Sequence, residues 1–271
     1  MKFAHITPIS LLDRVLSPLD DFHLMVLSVA ERSEEYVSFY RERIAAGNYV
    51  ILDSAAFEGD VATPERMVKA SLIVQPSEVV LPDTLESGSE TLRLSIQTAE
   101  SLVTRGFLGN FMAVPHGSSL RDYFQNATEL STNLLTSFPR HQVTLGIQEE
   151  VPELFGMSRL ELCRRLAHQL DDEMMGGKIL TQMRFHLLGV SEQLEEGSFE
   201  ARQNWRIRSC DTAKFVIWGL DGMYVPPRQR DHPPEYPGRK KFGGRLGYFD
   251  YATKSRLSVH LARENIAAWR T

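Results

Sequence analysis

Short apolar runs alternate along this chain with longer stretches in which apolar residues recur at helical spacing. The runs fall at 22–27, 49–52, 79–81, 111–114, 143–147, 185–188, 206–210 and 215–218, with a shorter one at 3–6. Most are rich in branched and aromatic residues and bounded by polar or turn residues, which reads as buried strands. The stretches between them carry helix signals. Residues 36–46 have helical spacing and close before Gly47. Thr63-Pro64-Glu65 offers a capping hydroxyl, a proline in the first turn and an acid beside it, followed by Met67, Ala70 and Ile73. A helix opens near Ser89 and stops at Gly106, and another contains Leu120, Tyr123 and Phe124. Ser158 and Glu161 form a capping box ahead of Leu162, Leu166 and Leu170, with a stop at Gly176-Gly177. A last helix over about 251–269 places Leu257, Leu261 and Ile266 near one stripe.

Four of the runs begin near residues 48, 78, 110 and 142, spacings of 30, 32 and 32. That is one strand, one helix and two loops, the pitch of parallel βα units. Eight such units in one domain over 1–271 predict a (β/α)8 TIM-type barrel. A doubly wound open sheet is the runner-up, since pattern alone does not show closure. No GxGxxG or phosphate-binding loop follows a strand, which disfavours a nucleotide-cofactor sheet.

Composition narrows this further. Hydrophobic residues are 42% and charged residues 24%, ordinary for a water-soluble domain. No apolar run approaches the roughly 20 residues of a membrane helix, and the first residues lack a signal-peptide core, so a cytosolic protein without membrane partners is expected. Cys163 and Cys210 are far apart and form no CxxC pair, which argues against a disulfide framework and a cysteine zinc site. The net charge of −5 conceals an asymmetry: residues 201–271 hold fourteen Lys and Arg against six Asp and Glu, +8, and the remainder carries −13. Within that quarter, 224–251 is punctuated by prolines and glycines, and its basic residues, among them Arg228, Lys240 and Lys241, interleave with aromatics such as Tyr224, Tyr236, Phe242, Tyr248, Phe249 and Tyr251. It is expected to be a loop-rich insertion that tracks a nucleic-acid backbone and stacks on bases; the alternative is a loop pinned by its own aromatics.

A parallel barrel carries its chemistry at the C-terminal ends of its strands. In chain order those ends read Asp53-Ser54 with Phe57 beyond, Pro82-Asp83-Thr84, Pro115-His116-Gly117, Gly146-Ile147, Leu188-Gly189 and Asp211-Thr212. Taken singly, Asp53 or Asp83 could simply cap the next helix. Three acids facing one cavity suit chemistry at a sugar anomeric carbon, one carboxylate as nucleophile and a partner moving protons.

The order of these segments resembles the tRNA-guanine transglycosylase superfamily, and within it the small phage-type, DpdA-like DNA-guanine transglycosylases that insert queuosine-related bases. Asp53-Ser54-Ala55-Ala56-Phe57-Glu58 stands where the family has Asp-Ser-Gly-Gly-Phe-Gln, Asp83 where an Asp reads the purine, and Val114-Pro115-His116-Gly117 in place of Val-Gln-Gly. Leu145-Gly146-Ile147 and Leu187-Leu188-Gly189-Val190 are similar to segments that line the base pocket, and Arg208-Ser209-Cys210-Asp211-Thr212 to the one that carries the nucleophile. The resemblance covers about 48–220. It departs at Ala55-Ala56 and His116, and the family's C-terminal zinc site is missing, which with the basic insertion favours DNA over tRNA.

The resemblance implies base exchange without a redox or metal cofactor. Asp211 would attack C1′ of a target guanosine, and a free 7-deazaguanine would then displace the glycosyl ester from the same face. Asp53 would transfer the proton. Asp83 would bind the purine edge, with Phe57, His116, Gly117, Gly146, Ile147, Leu188 and Gly189 around the base. Arg206, Arg208, Arg228, Lys240 and Lys241 are expected phosphate contacts. A tRNA-directed enzyme, a non-catalytic nucleic-acid-binding relative and a small-molecule glycosidase remain open at this stage.

Overall fold

The computed structural model describes residues 2–16, 20–54, 62–85, 87–172, 183–189, 206–224, 248–253 and 255–270. Its frame is eight parallel strands: β1 (Lys2–His5), β2 (Phe22–Val26), β3 (Tyr49–Asp53), β4 (Glu78–Val80), β5 (Asn110–Ala113), β6 (Val143–Ile147), β7 (Arg184–Leu187) and β8 (Ile207–Thr212). They are ordered β1-β8-β7-β6-β5-β4-β3-β2, every bonded pair parallel. Strands β1 and β2 pack side by side across the remaining seam, so the sheet is a nearly closed (β/α)8 barrel.

The helices in chain order are α1 (Leu12–Val15), α2 (Leu27–Ala30), α3 (Glu34–Ala45), α4 (Pro64–Val74), α5 (Gly88–Thr104), α6 (Leu120–Ser137), α7 (Val151–Leu154), α8 (Arg159–Asp172), α9 (Lys214–Leu220) and α10 (Arg256–Arg270). Their starts follow the capping chemistry of the sequence. Thr63 accepts from Arg66 N, Ser87 from Glu90 N, Ser119 from Asp122 N and Ser158 from Glu161 N. Neither Asp53 nor Asp83 caps the helix that follows it, because Thr63 and Ser87 do so.

Two expectations differ from the structure. The run 215–218 is the middle of α9, and the eighth strand is the short N-terminal run, β1. Phe215, Val216, Ile217 and Trp218 are all fully buried, so the run is apolar on every side and its period distinguishes neither helix nor strand. In α10 the buried stripe is Val259, Ala262 and Ile266, while Leu257 is 64% exposed. Residues 225–247, the body of the expected insertion, and the Gly176-Gly177 stop lie outside the described residues. At the insertion's end, Tyr248 and Phe249 are wholly buried; Tyr248 donates to Ile6 O at 2.8 Å, and Phe249 packs edge-on against Tyr36. These two aromatics pin the chain to the barrel and are not a base-stacking surface.

The N-terminal end of the barrel is closed by a polar plug. Phe22 and Tyr49 stack with ring centroids 5.2 Å apart. The Arg208 guanidinium lies over both rings and bonds Glu78 at 2.7 Å and Tyr49 Oη at 3.3 Å. Burial, with Glu78 beside it, pushes the Tyr49 phenol up to about 12. The chemistry is therefore left to the other end.

Candidate active site

Two histidine–carboxylate pairs stand at the C-terminal mouth. In the first, Asp83, just past β4, accepts from Ser54 Oγ at 3.3 Å and faces His116 Nε2 at 2.8 Å. Ser54, Asp83 and His116 are all buried. The His116 backbone N–H donates to Asn126 Oδ1 at 3.0 Å, and Asn126 Nδ2 donates to Gly88 O, so the start of α5 and the body of α6 fix this loop. The Gln148 carboxamide lies 2.9 Å from the same His116 nitrogen, and its Oε1 is buried without a partner among the described residues.

In the second pair, Asp211 near the end of β8 faces His186 Nε2 at 3.1 Å and accepts the Gly189 N–H at 3.1 Å, both on Oδ1. Gly189 has φ +63°, a left-handed conformation that a side chain disfavours. Arg159 reaches the same loop, donating to Leu188 O at 3.0 Å. Burial lowers the Arg159 pKa, while the charges of Glu149, Cys163 and Asp211 work against that shift.

Strands β4 and β8 are four places apart in an eight-stranded ring, so Asp83 and Asp211 stand on opposite sides of the mouth. Asp53 ends β3, half-buried and next to Ser54. Gly146 lies inside the barrel, where an added Cβ would come 2.8 Å from Leu188 Cδ1 and 3.2 Å from Met112 Sδ and Val114 Cγ2, so it forms part of the floor with half-buried Leu188.

Other expected site residues are placed differently. Ile147, adjacent to the inward Gly146, is fully buried, and its carbonyl accepts Leu188 N–H at 2.9 Å. Gly117 is required by packing: a Cβ there would lie 2.2 Å from Tyr123 N in the first turn of α6. Arg206 and Arg208 are corrected as phosphate contacts. Arg206, at the N-terminal end of β8, is 2% exposed and ion-paired with Asp171. Arg208 is spent on Glu78 at the barrel floor. Both side chains lie at the end of β8 away from the mouth. Phe57, Arg228, Lys240 and Lys241 lie outside the described residues.

The sequence reading missed His186 and Gln148. The signal for His186 was present, a titratable ring inside an otherwise apolar strand, but its orientation depends on register. Among the described residues no three His, Cys, Asp or Glu side chains cluster as a metal site, and no helix is long and apolar enough to cross a membrane. What the geometry defines is a (β/α)8 barrel with a carboxylate-bearing mouth. No protein-family model matches the chain, and no curated protein matches it.

Proposed function

We propose that this protein exchanges guanine in nucleic acid, DNA by preference, for a 7-deazaguanine through an aspartyl-glycosyl intermediate on Asp211. The observation that carries the reading is the pair of braced carboxylates on opposite strands, Asp211 held by His186 and Gly189, Asp83 by His116 and Ser54. A ligand that meets both must span the mouth. A flipped-out nucleoside does so, with C1′ over Asp211 and the Watson–Crick edge of its base towards Asp83.

Asp211 Oδ2 forms a bond to C1′ as the C1′–N9 bond of guanine breaks. The incoming base then attacks C1′ from the face guanine left, and the ester bond breaks, giving net retention. Asp83 accepts from Ser54 on Oδ1 and keeps lone pairs on its two oxygens for the base N1–H and exocyclic amine. Asp53 is the proton-transfer group of this scheme, giving a proton to the leaving guanine and recovering one from the incoming base.

The test is incorporation of labelled guanine, or of a 7-deazaguanine, into DNA and RNA oligonucleotides, with nucleosides identified by mass spectrometry. Asp211→Asn is expected to lower exchange by on the order of 10⁴-fold or more while the circular dichroism spectrum stays native. Undiminished exchange in that variant removes Asp211 as nucleophile. Exchange into RNA alone selects the tRNA-directed alternative, and binding without exchange selects a non-catalytic relative.

A further inference from the structure

We infer that Arg208, Ser209 and His186 form a buried hydrogen-bond chain that fixes His186 as its neutral Nε2–H tautomer, orients Asp211 through Oδ1 and leaves Oδ2 as the outward-facing oxygen. The tautomer follows from donor and acceptor inventory. Arg208 Nε can only donate, and it lies 3.1 Å from Ser209 Oγ. Ser209 Oγ therefore accepts there, and its own proton is free to point at His186 Nδ1, 2.7 Å away. At the other end Oδ1 of the Asp211 carboxylate, 3.1 Å from Nε2, can only accept, so Nε2 carries the ring proton and the Nδ1 of the neutral ring accepts from Ser209. Gly189 N–H adds a second donor to that oxygen. No partner is found for Oδ2 among the described residues.

Local backbone geometry makes the chain possible. Between Phe185 and His186 on β7 the register on β8 advances two residues, from Ile207 to Ser209. Arg208 is the extra residue of a β-bulge. Strand alternation would send neighbours 208 and 209 to opposite faces; the bulge lets both point inward, Arg208 to Glu78 and Ser209 to His186. Glu78, Ser209 and His186 are each fully buried, so the chain runs from the floor of the barrel to its mouth away from water. In such surroundings each link is stronger, and breaking one leaves its neighbours unsatisfied. His186 and Ser209 are thus positioning residues for Asp211.

The catalytic consequence rests on Asp211 being the nucleophile, but the tautomer does not, and the decisive measurement is independent of turnover. Long-range ¹H–¹⁵N correlation of the histidine rings in the full chain, with His186→Gln used for assignment, is expected to show an unprotonated Nδ1 and a protonated Nε2 for His186 at neutral pH. A protonated Nδ1, a doubly protonated ring or rapidly averaging tautomers in the wild type would overturn the chain. Ser209→Ala is expected to release the tautomer preference and to lower kcat about tenfold, the worth of one neutral hydrogen bond, without change in KM for the free base. Ser209→Thr, which keeps the hydroxyl, restores both. A Ser209→Ala protein with a wild-type ring spectrum, or one whose KM rises while kcat holds, contradicts the role. If the tautomer is as expected and no base exchange occurs with any nucleic acid, the chain stands and the transglycosylase reading fails.

Discussion

Gly189 shows how much one position contributes to this site. Its backbone is left-handed and its N–H is one of the two donors on Asp211 Oδ1. Space is not the obstacle to a side chain, since the nearest atom to an added Cβ is Glu149 Oε2 at 3.7 Å. The obstacle is the φ angle, which costs an L-residue roughly 1–2 kcal/mol. Gly189→Ala is therefore expected to lower stability by about that amount in urea unfolding and to lower kcat more than KM, because relaxing φ turns the N–H away from Asp211. Glu78 is the corresponding residue at the floor, fully buried and paired with Arg208. Glu78→Gln removes the charge that offsets a buried guanidinium. Losing one partner of such a pair costs about 3–5 kcal/mol, and a urea midpoint unchanged by this variant would show that the plug is not a stabilising pair. Glu78 was not singled out by sequence, and Gly189 was expected only among the residues around the base. The donor role of Gly189 towards Asp211 depends on where β8 lies, and Glu78 reads as a polar residue before a strand until Arg208 is seen above it.

At the level of elements, the pitch of the βα units was legible because branched and aromatic runs recur at a spacing that only a strand, a helix and two loops fill. Strands β3, β4, β5 and β6 begin at Tyr49, Glu78, Asn110 and Val143, each within a residue of the expected starts. The cap residues Thr63 and Ser158 were equally legible, since capping is a local hydrogen bond. The exchange of roles between 3–6 and 215–218 was not, because helix α9 is buried on all sides, with Phe215 against Phe3 and His5 of β1 and another face in contact with α10. That contact is unusually close. A Cβ on Gly219 would lie 2.1 Å from Ala262 N and 2.2 Å from Ala262 Cα, both backbone atoms that cannot swing away. Gly219→Ala is expected to push the two helices apart and to destabilise the fold by roughly 1–3 kcal/mol, the cost of overpacking. Thermal unfolding measures it, and an unchanged midpoint would mean that the helices separate at no cost.

For the whole molecule, the barrel is a single buried unit whose stability depends on pH through groups it encloses. His23 on β2 is fully buried under Phe39 and Tyr40. Burial first, and the Arg43 charge second, lower its pKa from 6.5 to about 4. The unfolded chain therefore binds this proton between pH 6.5 and pH 4 while the folded protein does not. Stability contributed by His23 is present above pH 6.5 and is lost as pH falls, up to about 3 kcal/mol by pH 4. His23→Phe keeps a ring against Phe39 and Tyr40 but has nothing to titrate. It is expected to flatten this limb of the stability–pH curve in denaturant titrations at pH 4 and pH 7; a limb of the same slope would assign the loss to other groups.

The sequence by itself determined the βα repeat, the helix caps and the strand ends at which Asp53, Asp83 and Asp211 occur, because these are set by local periodicity, local hydrogen bonding and chain order. Tertiary structure alone decided which of these side chains have partners and across what space they face one another. Closure of the sheet put Asp83 and Asp211 on opposite sides of one mouth. A one-residue bulge turned Arg208 from an apparent phosphate ligand into an internal counter-ion. Register brought His116 to Asp83 and His186 to Asp211 across 33 and 25 residues of chain. Contacts between residues so distant in sequence arise from the lateral pairing of neighbouring strands, β4 with β5 and β7 with β8, and no local pattern encodes them.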